Sequence, residues 1–282
     1  MRVHETIAGI RAALEGTGRV ALVPTMGNLH EGHIALMRQA REHGDTVVAT
    51  IFVNRLQFRH LDDFDKYPRT FAADCEKLEA AGVDHLFAPS EAEMYPQTHG
   101  YIGCHVEPPP ALANVLEGEF RPGHFRGVAT VVMKLFQIVR PDAALFGKKD
   151  WQQLRVIRNM VADLNLPVKV SAIETARSSD GLALSSRNGY LSASERAEAP
   201  RLYRVLTKVV RAIRTGDHDR MGLEAAAMAE LQAAGWIPDY IAVRNGIDLQ
   251  LPPAHGPAHP PGLVVLAAAR LGSTRLIDNL EV

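Results

Sequence analysis

Cysteine is nearly absent, with two residues in 282, Cys75 and Cys104. They form no C-x-x-C pair, which excludes zinc or dithiol motifs of that spacing and leaves two reduced thiols. Neither sign of charge is in excess: 31 basic side chains stand against 32 acidic ones, a formal net charge of −1. A broad nucleic-acid surface needs a basic face, so none is expected. No apolar run approaches the length of a membrane span, and His4 and Glu5 interrupt the start where a signal peptide would need a longer apolar stretch. No repeat of solenoid length recurs. These absences predict a cytoplasmic protein without nucleic-acid or membrane partners. What remains is globular: 46 % apolar and 22 % charged residues, enough chain for one large domain or two ordinary ones.

Hydrophobic patterning predicts the architecture. Thr6–Leu14 has helical spacing, Val20–Val23 reads as a strand, and Thr46–Val53 is an apolar, β-branched run suited to a strand buried on both faces. A helix over Phe71–Ala81, a strand over Asp84–Ala88, a helix over Val128–Val139, a strand over Ala143–Phe146, a helix over Trp151–Leu164 and a strand over Val168–Glu174 follow. This alternation predicts an α/β protein with a Rossmann-like, doubly wound parallel sheet. Past about residue 176 the pattern changes. Ser194–Ile213 and Met221–Ala234 read as helices, and Tyr240–Val243, Leu263–Ala269 and Arg275–Ile277 as strands of a small sheet. The chain is therefore expected to hold a domain over 1–175 and a smaller C-terminal α+β domain over 176–282. Leu251–Gly262, rich in Pro and His, reads as an exposed loop.

Candidate chemistry gathers after the strands. Pro24 to His33 (PTMGNLHEGH) joins a strand to a helix through a glycine-bearing loop, with His30 and His33 where the helix begins. Helix N-termini carry unpaired N–H groups and a positive dipole end, and imidazoles add donors, so the stretch suits phosphate. Two histidines three apart are by themselves more often solvated residues or local caps. After the second strand, Asn54 and Gln57 offer neutral amides that would orient a hydroxy acid without a strong ion pair. A polar loop is the plain alternative. Phe146 to Gln153 (FGKKDWQQ) sets Gly147 at a strand end, Lys149 as a point charge for phosphate, Asp150 as an acceptor for ribose hydroxyls, and Gln153 one helical turn on. Asp180 to Tyr190 (DGLALSSRNGY) supplies Ser185, Ser186 and Arg187. The acidic Asp62–Thr70 segment reads as a helix start or a wall over the pocket rather than a metal site, and Leu116–Gly127 as a loop opening a helix, with Arg121 and Arg126 given no role.

These motifs carry a resemblance. The first resembles the HxGH signature shared by nucleotidyltransferases and class I aminoacyl-tRNA synthetases, and in its longer form resembles the pantothenate synthetase (pantoate–beta-alanine ligase) family. Asn54–Gln57–Phe58 is similar to that family's N-P-x-Q-F, with Arg55 where the family usually has proline. DDFDKYPRT is similar to D-x-x-x-Y-P-R-T, FGKKDWQQ to F-G-x-K-D-x-Q-Q, and ALSSRNGY to the counterpart of the KMSKS loop. The likeness runs on to Arg275-Leu-Ile-Asp-Asn279. It implies a ligase that joins pantoate to beta-alanine with ATP through a pantoyl adenylate, releasing AMP and pyrophosphate. It implies ATP contacts from Met26, Gly27, Asn28, Leu29, His30, Glu31, Gly32, His33, Gly147, Lys148, Lys149, Asp150, Ala176, Leu184, Ser185, Ser186 and Arg187. Asn54, Gln57 and Gln153 are implied for pantoate and beta-alanine. His30, His33 and Lys149 would be catalytic, with His33 a proton donor. Mg²⁺ is expected with ATP, held by phosphates and water rather than by a protein metal site. The implied domain roles are ATP and pantoate binding for the first and a lid for the second, in a homodimer.

Three other readings compete. A nucleotidyltransferase would adenylate a phosphorylated small molecule, which needs cations rather than neutral amides. A metal-binding module would use His30, His33 and a third ligand. An aminoacyl-tRNA synthetase would need an anticodon-binding domain or a basic surface.

Overall fold

The structure, a computed structural model, describes residues 1–58, 64–96, 103–252 and 262–282. The chain divides into two compact units, one of Met1–Gly147 with Gln153–Ile173, the other of Lys148–Gln152 with Glu174–Val282. Five residues that include the KKD turn, Lys148–Gln152, count with the second unit.

The first unit holds six parallel strands: β1 (Arg2–His4), β2 (Val20–Thr25), β3 (Thr46–Ile51), β4 (His85–Phe87), β5 (Ala143–Gly147) and β6 (Lys169–Ile173). Their order is β1-β4-β3-β2-β5-β6, so the chain leaves β2 in one direction through β3 and β4 and resumes on its other side with β5 and β6. With right-handed crossovers this reversal puts helices on both faces, which is the doubly wound sheet expected. Ala21, Leu22 and Val23 in the central strand have no exposed surface. The helix Glu31–Ala40 covers β2 and β5, and Ile7–Leu14 packs on His124–Val139.

The reversal point is also where the sheet opens. β2 pairs with β5 only at Ala21–Ala143 and Leu22–Ala144, yet β2 runs to Thr25 and β5 to Gly147. The two strands therefore part toward their carboxyl ends. Pro24, which has no N–H to give, lies past the last of these pairs, where its cost to the ladder is low.

The second unit is a three-stranded antiparallel sheet, β7 (Ile237–Asn245), β8 (Leu263–Leu271) and β9 (Thr274–Glu281), with helices Ala193–Glu198, Arg201–Arg214 and Arg220–Ala233. Leu206, Leu231 and Val265 are fully buried in its core.

Several expectations need correction. β1 was not foreseen, because three residues of mixed polarity carry no period. The helix expected over Ser194–Ile213 is two helices, since Pro200 lacks the N–H that continuation requires. The long helix begins at His124, four residues before Val128. Residues 59–63, Asp62 among them, and most of the Leu251–Gly262 loop lie outside the described residues.

Candidate active site

The loop after β2 is built by two left-handed residues, Gly27 at φ 82° and Asn28 at φ 50°. A side chain at Gly27 would be strained by that φ and would press on Asp74 Oδ2 and Ile51 Cγ2, both at 3.1 Å. Asp74, fully buried on the helix Phe71–Ala80, accepts the N–H groups of Asn28 and Leu29, each at 2.8 Å. Lys77 of the same helix donates to the Leu29 carbonyl at 2.7 Å. An acceptor and a donor one helical turn apart thus hold the loop by its backbone. Neither residue was singled out in the sequence, because a charged residue within an ordinary helix gives no local sign of a partner some 45 residues away.

The loop delivers His30 and His33 to the start of the helix Glu31–Ala40 as a capping box. His30 Nδ1 accepts the Gly32 N–H at 3.1 Å, and His33 Nδ1 accepts the His30 N–H at 3.4 Å. A ring nitrogen that accepts carries no proton, so both imidazoles have their proton on Nε2. The ring centroids are 4.1 Å apart. Capping, the plain alternative for this pair, therefore holds, and it fixes each ring with Nε2–H as its donor edge. Glu31 beside them is exposed and 3.9 Å from Arg38.

After β3, Asn54 is fully buried and Gln57 nearly so. Asn54 Nδ2 donates to Gln57 Oε1 and to the Gly127 carbonyl, both at 3.0 Å, while Tyr95 OH donates to Asn54 Oδ1 at 2.7 Å. Gln57 Nε2 lies 3.1 Å from Met26 Sδ, so the amide loop meets the histidine loop. His124 completes the set. Arg121 has only donors, so at 3.1 Å it donates a hydrogen bond to His124 Nε2, and His124 Nδ1–H then donates to the Gln57 carbonyl at 2.9 Å. Gly127 permits the approach, since a Cβ there would sit 2.3 Å from the Leu56 carbonyl oxygen and 2.6 Å from Gln57 N. His124 and Tyr95 went unnoticed in the sequence, and Arg121, given no role there, supports this histidine.

Gly147 ends β5, and a Cβ built on it meets no protein atom within 4 Å. Packing does not require this glycine. Gln153 lies partly exposed on the first turn of Trp151–Asp163, and among the described residues no hydrogen bond joins it to Asn54 or Gln57.

In the second unit the two adjacent lysines have different fates. Asn279 donates to the carbonyls of Lys148 and Lys149 at 2.9 and 2.8 Å, which sets the turn. Lys148 Nζ pairs with Glu174 and Glu281, and these bonds hold its charge on despite partial burial. Lys149 makes no ion pair among the described residues and instead lines a cavity with Ser185, Arg187, Asn188, Tyr203 and Arg275. Asp150, in the same turn, is exposed. The SSRN segment is held at its start. Leu184 N–H donates to the Ala176 carbonyl at 2.9 Å, and Ser185 Oγ accepts the Arg187 N–H at 3.2 Å, opening the short helix Ser186–Tyr190. Asp180 anchors the preceding turn: hydrogen bonds from Arg196 and Ser178 hold its carboxyl far below the usual carboxylate range. Arg177, also unforeseen, grips Asp278 with two bonds of 2.7 and 2.8 Å and stacks on Tyr203.

The predicted residues thus fall into two sets. The first unit brings together Met26–His33, Asn54 and Gln57. The second brings together Lys149, Ser185 and Arg187, with Ala176 and Leu184 as their support. Among the described residues no group of three His, Cys, Asp or Glu side chains is placed to hold a metal, and no helix is long and apolar enough to cross a membrane.

Comparison with known proteins agrees over the whole chain. The profile of the pantoate–beta-alanine ligase family matches residues 2–281. A pantothenate synthetase of Chromobacterium violaceum is 59 % identical over 282 residues, covering 100 % of this chain and 99 % of that one. The crystal structure of pantothenate synthetase from Thermus thermophilus superposes with a TM-score of 0.92 at 45 % identity, covering 100 % of this chain and 99 % of that one. The pantoate–beta-alanine ligase from Francisella tularensis, solved in complex with beta-gamma ATP and beta-alanine, superposes at 0.82 with 32 % identity, covering 100 % of this chain and 97 % of that one.

Proposed function

The chain belongs to the pantoate–beta-alanine ligase family, and from that we infer that it activates pantoate with ATP and joins it to beta-alanine, giving pantothenate, AMP and pyrophosphate. The observation that carries the reading within the molecule is the meeting of the neutral Asn54–Gln57 pair with the histidine loop through Met26, at the parted strand ends where ligands of such sheets bind.

A carboxylate does not react with an amine unaided, because its oxygen is a poor leaving group. Attack by the pantoate carboxylate oxygen on the α-phosphorus forms an acyl adenylate and expels pyrophosphate. The beta-alanine amine then attacks the acyl carbon and AMP departs. Neither step needs a protein nucleophile, so the protein's part is positioning and stabilisation of developing charge. His30 and His33 give Nε2–H donors to phosphate oxygens as charge moves toward pyrophosphate, with His33 as proton donor. The backbone of Met26–Leu29 and Glu31–Gly32 walls the nucleotide. Lys149, Ser185, Ser186 and Arg187 share the phosphate charge, supported by Ala176 and Leu184. Lys148, committed to Glu174 and Glu281, holds the turn beside them rather than acting on phosphate. The open side of Gly147 leaves room for the ribose, for which Asp150 supplies an acceptor. Asn54, Gln57 and Gln153 orient pantoate through neutral amides.

Mg²⁺ would accompany ATP, carried by the nucleotide's phosphates and water, and would help neutralise the charge that develops on pyrophosphate. The lid role falls to the second unit, the assembly is a homodimer, and the compartment is the cytoplasm. The direct test is AMP formation. It should require pantoate, beta-alanine and ATP together, and should vanish on chelation of divalent cations. Pyrophosphate release that needs a phosphorylated acceptor instead of pantoate, with the AMP left on that acceptor, would refute the assignment.

A further inference from the structure

Arg55 stands at the head of the loop that carries both acid-binding amides. Its backbone is one a proline would lock. Asn54 is extended at φ −86° and ψ 107°, and Arg55 opens the turn Arg55–Gln57 with an N–H that finds no acceptor among the described residues. Arginine at that place leaves the backbone torsion unrestricted.

Its side chain supplies the missing restraint. Nε and Nη2 bond the two Glu91 oxygens at 2.8 and 3.2 Å, the fork geometry that matches a carboxylate. The same guanidinium lies over the Phe64 ring, 4.4 Å from its centroid, and Arg69 lies over that ring as well, at 5.3 Å. Glu91 begins the short helix Glu91–Met94, whose first turn is capped by Ser90. The next residue, Tyr95, donates to Asn54. One helical turn therefore grips the loop twice, through Glu91 on Arg55 and through Tyr95 on Asn54.

We propose that Arg55 is a positioning residue for the acid substrate, clamping the Asn54–Gln57 loop to the Glu91–Tyr95 turn. This rests on the reading that Asn54 and Gln57 hold pantoate. The guanidinium does not itself bind the substrate carboxylate, because Glu91 takes its fork.

The test compares KM for pantoate, ATP and beta-alanine, together with the melting temperature, in Arg55→Ala, Arg55→Lys, Arg55→Pro, Glu91→Ala and Gln57→Ala. An exposed ion pair with a cation–π contact supports a rise in pantoate KM of about three- to tenfold in Arg55→Ala and Glu91→Ala, with the other two constants within about twofold. Arg55→Lys keeps the charge but not the fork and should behave like Arg55→Ala. Arg55→Pro should return pantoate KM toward the native value by restraining the backbone instead. An unchanged pantoate KM in Arg55→Ala and Glu91→Ala, or an equal rise in all three constants with a fall in melting temperature, overturns the clamp. So does full activity in Arg55→Lys alone, which would mean the charge acts on substrate directly. If Gln57→Ala raises pantoate KM and the Arg55 and Glu91 variants do not, the clamp alone fails. If Gln57→Ala leaves it unchanged, the amide reading fails and takes the clamp with it.

Discussion

The Asp74 carboxylate accepts the Leu29 N–H at 2.8 Å, a bond between a buried helix residue and the loop that presents the histidines. Asp74 has no exposed surface and also accepts from Asn28 and Thr70, so its charge is met by three donors. Removing it leaves two loop N–H groups without acceptors, that of Leu29 buried and that of Asn28 partly so. Asp74→Ala should cost about 1–3 kcal/mol of stability, by the usual cost of unsatisfied buried groups. It should also raise KM for ATP, because the loop loses its anchor. Chemical denaturation and steady-state kinetics on one preparation test both. Native KM for ATP in a folded variant would show that Lys77 alone holds the loop.

The adjacent lysines should separate cleanly. Lys149→Ala removes a cation with no ion pair among the described residues from the Ser185–Arg187 cavity. It should reduce turnover by at least roughly a hundredfold while leaving the melting temperature near native, in line with the loss of one well-aimed donor. Lys148→Ala breaks pairs with Glu174 and Glu281 and should lower the melting temperature more than it lowers turnover. The reverse pattern would exchange their roles.

Gly127→Ala should disturb the amide loop specifically. The added methyl meets the Leu56 carbonyl oxygen at 2.3 Å and Gln57 N at 2.6 Å, and backbone yields little. A destabilisation of about 1–3 kcal/mol is expected for overpacking of this kind. A larger effect on pantoate KM than on ATP KM should accompany it, as measured by varying each substrate in turn.

A pH effect should come from the far edge of the sheet. His4 Nε2 and His85 Nδ1 lie 3.0 Å apart between β1 and β4, and burial pushes both below the ordinary histidine value of 6.5. Histidines kept neutral in the fold make the unfolded chain the stronger proton binder. Their contribution to stability is full above pH 6.5 and falls away as the pH drops below it. The melting temperature should decline between about pH 7 and pH 5, and less steeply in His4→Gln. Equal slopes would assign the decline to other groups.

How far the sequence disclosed all this depends on distance along the chain. The strand, glycine loop and helix around His30 and His33 form one local unit, so their order and the cap could be read directly. The three motif-bearing ends on β2, β3 and β5 were legible because apolar runs mark those strands. What binds the site together was not. Asp74 and His124 look like ordinary helix residues until the fold brings them to Leu29 and Gln57. Nothing in Lys148-Lys149 tells one lysine from the other. That distinction is made by Glu174 and by Glu281, the latter some 130 residues away. Pro200 was in plain view, and the two-helix outcome could have been read from it.

Pantoate oxygen attacks the α-phosphorus of ATP, and the protein supplies donors and placement. Pantoate labelled with ¹⁸O in its carboxylate puts this to the test by mass spectrometry of the products. The prediction is that one labelled oxygen appears in AMP and none in pyrophosphate. Unlabelled AMP, or ADP with labelled inorganic phosphate, would contradict it.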